Sequence, residues 1–94
     1  MSSVSSWGSS ALSLARIAAA RKKTVGFRQT LKAIQKGQAR AVFVALDADR
    51  WVIDPIIQVC QAKGIPLIQV ESMRELGSAC GISVNCATAA VTEE

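Results

Sequence analysis

Ninety-four residues with eleven Lys or Arg and seven Asp or Glu make one small domain with a single core. The chain holds no histidine and no Cys-x-x-Cys pair, which excludes a His general base and argues against a zinc site. Its apolar runs, Ala41–Leu46 among the longest, fall far short of the ~20 residues of a membrane span.

Met1–Ser13 contains seven serines and no charge, too little apolar surface to order itself. Residues 1–10 are therefore read as a flexible leader, with Trp7 as the one residue able to pin it, and residues 11–94 as the domain. The acid-free start overlaps in composition with an organellar transit peptide. Its basic residues, however, run straight into the folded part.

Ala11–Lys23 is rich in helix formers, with Leu12, Ala15, Ala19 and Leu14, Ile17, Ala18 on adjoining sides, and predicts a first helix. Thr24–Gly26 is a short strand stub. Phe27–Lys36 predicts a helix, because Phe27, Leu31 and Ile34 repeat at helical spacing and Gly37 offers a stop. Arg40–Leu46 predicts a buried strand.

Asp54 followed by Pro55 reads as an N-cap with proline at the first helical position. The helix it opens has Ile56, Ile57, Val59 and Cys60 on its apolar side and ends at Gly64. Pro66–Val70 is a second buried strand. Ser72-Met-Arg-Glu75 is a capping box, opening a short helix that closes at Gly81. Ile82–Val91 supplies a last strand. Strands alternating with helices at this pitch imply an α/β sandwich around a small mixed sheet. Three widely spaced cysteines, Cys60, Cys80 and Cys86, fit reduced, buried thiols rather than a disulfide framework.

Eight cations, Arg16, Arg21, Lys22, Lys23, Arg28, Lys32, Lys36 and Arg40, occupy a stretch without a single acid, whereas the chain from Ala41 onward is net acidic. Such one-ended charge favours a polyanionic partner, whose released counterions drive binding. Arg28, Lys32 and Lys36 step by four and share one helical face, spaced by roughly 6 Å along the axis. Gln29 lies beside them near the helix start, where free backbone amides favour an anion. Asp47 and Asp49 follow a buried strand, where α/β folds often place catalytic carboxylates. With no His and no phosphate loop, turn formation and capping account for them better than enzyme chemistry does. Trp7, Phe27, Phe43 and Trp51 are too few rings for a single-strand stacking platform. A shaped RNA, held through phosphates and a few base edges, remains.

The segments Gly26-Phe-Arg-Gln-Thr-Leu-Lys32, Ala41-Val-Phe-Val-Ala-Leu-Asp47, Gly64-Ile-Pro66 and Val70-Glu-Ser-Met-Arg-Glu-Leu-Gly77-Ser-Ala-Cys-Gly81 resemble the kink-turn RNA-binding ribosomal protein family, the L-seven-Ae type, in its bacterial branch. The likeness spans roughly Ala11–Val91. It implies a three-layer α-β-α sandwich with a four-stranded mixed sheet. It also implies that Gly26 shapes the approach while Arg28, Gln29 and Lys32 face tandem sheared G·A pairs and nearby phosphates. Val70, Glu71, Ser72 and Met73 would form the loop that contacts the bulge. Better-known members carry Thr, Asn, Glu and Thr where this chain has Phe27, Arg28, Gln29 and Leu31. Arg28 in place of a neutral amide shifts the contact toward charge-assisted bonding.

The expectation is a cytoplasmic, monomeric, non-enzymatic RNA-binding protein that needs no cofactor, metal or membrane. Its partner would be kink-turn or ribosomal RNA, in a ribosomal or ribonucleoprotein setting, with Lys36 extending the basic face. A ribosome-associated protein–protein module with a vestigial RNA site is the alternative.

Overall fold

A computed structural model describes residues 10–93, with side chains from Ala15 onward. The expectations for the serine leader, Trp7 and a transit peptide, and for the side chains of Leu12 and Leu14, lie outside the described residues. Eight elements follow in order: α1 (Ser10–Ala19), β1 (Lys22–Val25), α2 (Phe27–Gln35), β2 (Ala41–Ala45), α3 (Arg50–Lys63), β3 (Leu67–Val70), α4 (Met73–Ala79) and β4 (Thr88–Glu93).

The sheet has the order β1-β4-β2-β3. The last strand is therefore central, antiparallel to both β1 and β2, while β2 and β3 run parallel. Every residue of β2 is buried, as are Thr88 to Val91 of β4. A sheet buried on both faces needs helices on both. It has them: α1 packs with α4 and α2 packs with α3, each pair against the strands. The result is the expected three-layer α-β-α sandwich around a four-stranded mixed sheet. Phe43, Ile17, Ile34, Ile56 and Leu76 are the largest fully enclosed apolar side chains. The small Ala41, Ala45, Ala89 and Ala90 let the layers close over them.

Three sequence expectations need correction. The first helix stops at Ala19 rather than Lys23, because Lys22 and Lys23 pair with Glu93 and Val91 of β4. Ladder bonds with the central strand outweigh the local helix preference. Its alanines 15, 18 and 19 are exposed, and Ile17 carries the burial.

The third helix starts at Arg50, not at Pro55. The amides of Val52 and Ile53 already bond the Asp49 carbonyl at 3.0 and 3.2 Å. Asp49 is the N-cap, in extended backbone at φ −63°, ψ 138°, and Pro55 lies inside the helix. Proline there supplies no amide for the carbonyl four residues earlier. Asp54 is an exposed helical residue.

The last strand begins at Thr88 rather than Ile82, because the chain before it folds back over α4. A Cβ on Gly77 would collide with the Val84 carbonyl and stand 3.4 Å from the Cys86 nitrogen. Glycine at 77 is thus the condition for this close approach.

Candidate nucleic-acid interface

Helix α2 separates its residues cleanly. Thr30, Ala33 and Ile34 are buried, Phe27 and Leu31 half-buried against the core, while Arg28, Gln29, Lys32 and Lys36 are exposed. At 100° per residue the exposed cations share a single stripe opposite the packed one. Gly26 is the N-cap with φ 98°, ψ 161°, a region essentially reserved for glycine. No side chain caps this helix end, and none of its first-turn residues is acidic. Its exposed N-terminal amides and Arg28 therefore present positive potential together.

A relay of hydrogen bonds ties this helix start to the 71–73 loop. The Gly26 amide donates to the Thr88 carbonyl at 2.9 Å, and the Cys86 thiol donates to the same oxygen at 3.0 Å. The Cys86 amide then donates to the Met73 carbonyl at 3.1 Å. The Met73 amide in turn donates to Asp47 Oδ1 at 2.8 Å. Thr88 itself is held by its hydroxyl, which donates to the Phe43 carbonyl at 2.8 Å. Two segments more than forty residues apart in sequence are thereby fixed on one edge of the sheet.

On that edge Glu71 is exposed, while Ser72 and Met73 are half-buried. The Ser72 hydroxyl accepts from the Glu75 amide at 3.1 Å, the expected cap. Val70 differs from its expected role as a contact residue. Its side chain is fully buried, and its carbonyl accepts from the Leu46 amide at 2.7 Å. It holds the loop from beneath. Lys36 also stands apart, as the C-cap at the far end of α2, one helix length from Gly26.

Asp47 is used structurally, on Met73. Asp49 caps α3 through its backbone, with no side-chain cap bond.

Sequence reasoning missed two features of this edge. One is the Thr88–Cys86 relay, for which the sequence holds no short-range signal. The other is apolar: Leu46, Trp51 and Val84 are 53%, 76% and 67% exposed; Leu46 follows β2 and Trp51 stands in the first turn of α3 at this edge, while Val84 lies on the loop that folds over α4. Leu46 was legible in principle, as the apolar residue left over after a five-residue strand.

All three cysteines are unpaired thiols. Burial pushes the Cys60 thiol up. Cys80 and Cys86 share a hydrogen bond. The bond from Cys80 draws Cys86 down, against its burial, with the Gly26 and Thr88 backbone assisting. The same bond, with burial, pushes Cys80 up. Among the described residues no group of His, Cys, Asp or Glu is placed to hold a metal ion. No helix among them is long and apolar enough to cross a membrane.

Known proteins resemble this chain in sequence and in fold. An RNA-binding protein of Caldanaerobacter subterraneus is 44% identical over 69 residues, covering 73% of this chain and 84% of the relative. The RNA-binding protein YbxF of Geobacillus stearothermophilus is 35% identical over 80 residues, 85% of this chain and 98% of that one. Among solved structures, the Giardia lamblia 15.5kD RNA binding protein superposes with a TM-score of 0.77 at 28% identity, covering 86% of this chain and 68% of its own. A Bacillus halodurans protein of unknown function gives 0.74 at 29% identity, over 85% and 80% of the two chains. The model of the Ribosomal protein L7Ae/L30e/S12e/Gadd45 family matches residues 10–94. With its fold, its glycine-opened basic helix and its matched length in agreement, the chain belongs to that family.

Proposed function

We propose that the protein binds RNA and stabilises kink-turns, acting as a monomer, without catalysis, in a cytoplasmic ribosomal or ribonucleoprotein setting. One observation carries the reading: the relay through Thr88 and Cys86 holds the exposed start of α2 and the 71–73 loop on a single edge. Relatives named as RNA-binding proteins support the broader part of it.

In this reading Arg28, Gln29 and Lys32 enter the groove at the sheared G·A pairs. Gly26 allows close backbone approach. A sharply bent RNA crowds its own phosphates, and cations on α2 offset that repulsion, so the protein selects the bent population. Glu71 repels phosphate and therefore serves at a base edge, accepting from an amino group. Val70 supports the loop, while Ser72 and Met73 present it to the bulge. The exposed Leu46, Trp51 and Val84 supply apolar surface for unstacked bases.

Titration of a kink-turn duplex, beside a control lacking the sheared pairs, tests the proposal. Arg28→Ala and Lys32→Ala are each expected to weaken kink-turn binding by about 1–3 kcal/mol. Equal affinity of the parent protein for both RNAs would reduce it to a general polyanion binder. The same three exposed apolar residues favour the second reading, a protein–protein module with a vestigial RNA site. Its partner contact would be insensitive to salt, whereas RNA binding strengthens as salt falls.

A further inference from the structure

The two ends of α2 lie at opposite edges of the sheet. Gly26 meets Thr88 at one; at the other, the Arg40 amide donates to the Val91 carbonyl at 2.7 Å. There an open groove of about 510 Å³ runs between the α2–β2 turn and the first residue of β1. Lys22, Gln38, Arg40, Thr92 and Glu93 line it.

This far edge is the more cationic of the two. Strand and helix ends bring Arg21, Lys22, Lys36, Arg40 and Lys63 to it, and of the described acids only Glu93. The edge with the relay instead interleaves Arg28, Arg50 and Arg74 with Asp47, Asp49, Glu71 and Glu75. The formal positive charge of the described residues is therefore concentrated at the groove edge rather than at the relay edge.

The groove's own cations are available. Arg40 is exposed, and its guanidinium meets no partner among the described residues. Lys22 Nζ lies 3.9 Å from Glu93, with side chains 75% and 49% exposed, a pair that water already weakens. From Arg28 the stripe on α2 leads through Lys32 and Lys36 toward this groove. Nine helical residues cover about 13 Å, so the cations spaced along α2 can follow a single strand from the relay edge toward the groove.

We propose that the groove is a second RNA site, which grips the phosphodiester backbone of a stem leaving the kink along α2. It rests on the RNA reading above and extends its footprint across the molecule. Lys22 and Arg40 bind phosphate oxygens, Gln38 and Thr92 donate to them, and an entering phosphate displaces Glu93 from Lys22. Glu93 thereby acts as a competitor that disfavours weak, diffuse anions.

The test compares kink-turn RNAs with full stems against RNAs with each stem in turn cut short of the groove. The double variant Lys22→Gln/Arg40→Gln is expected to lose about tenfold in affinity on full-length stems and to lower the salt slope by about two. It should bind one of the trimmed RNAs as the parent does. Glu93→Gln should bind full-length stems more tightly than the parent, an effect that misfolding cannot imitate. Unchanged affinity of the double variant, an equal loss on every RNA, or weaker binding by Glu93→Gln would each overturn the site. Arg28→Ala and Lys32→Ala separate the two ideas. A silent groove with costly Arg28 and Lys32 changes removes this proposal alone. A costly groove with silent Arg28 and Lys32 removes the kink-turn reading and leaves the groove.

Discussion

Thr30 sits at the centre of the packed face of α2, fully buried, and its hydroxyl has no hydrogen-bond partner among the described residues. Valine has nearly the same shape and no hydroxyl to leave unsatisfied. Thr30→Val is therefore expected to raise stability by about 1 kcal/mol in chemical denaturation. A loss of stability would show that the hydroxyl finds a partner in solution. The neighbouring Arg28 illustrates the opposite case, an exposed group to which the proposal gives a role only in binding, so its removal should leave the denaturation midpoint unmoved. Gly26 combines both kinds of role. Its backbone angles admit almost no other residue, and its amide is one end of the relay.

Helix α4 is held at its start by two separate groups. Ser72 Oγ accepts from the Glu75 amide and Asp47 Oδ1 from the Met73 amide. Only seven residues long, the helix has little internal cooperativity to replace them. Ser72→Ala and Asp47→Ala are each expected to cost about 1 kcal/mol. Faster hydrogen exchange should appear at the Glu75 amide in the first variant and at the Met73 amide in the second. Ser72 was legible from its capping box, because that signal is local. Asp47 was not: its partner lies 26 residues away, and sequence assigned it only to a turn. The same contrast explains the misplaced boundaries. Lys22 and Lys23 join a strand only because β4 lies beside them, and Pro55 suggests a helix start that Asp49 had already made. The basic stripe of α2 was readable, since its period resides in ten consecutive residues, whereas the role of Gly26 entered only through the family resemblance. That the stripe and the 71–73 loop share an edge depended on Thr88 and Cys86, which no pattern marks.

Across the whole molecule the cations Arg28, Lys32, Lys36 and Arg40 form a line from one edge to the other. If each neutralises one phosphate, affinity should fall about a hundredfold between roughly 50 and 200 mM salt. A titration series in salt reads this directly, and a slope near one would mean that most of the line stays out of contact. The sheet order has a separate consequence. Strand β1 touches the rest of the sheet only through β4, and Gly26 is anchored to the first residue of that same strand. A polypeptide emerging from the ribosome cannot complete its binding edge until Thr88 and the residues after it have been synthesised and inserted between their neighbours. A product terminated ahead of that point would carry the entire cationic segment yet lack the strand that seats Gly26 and β1.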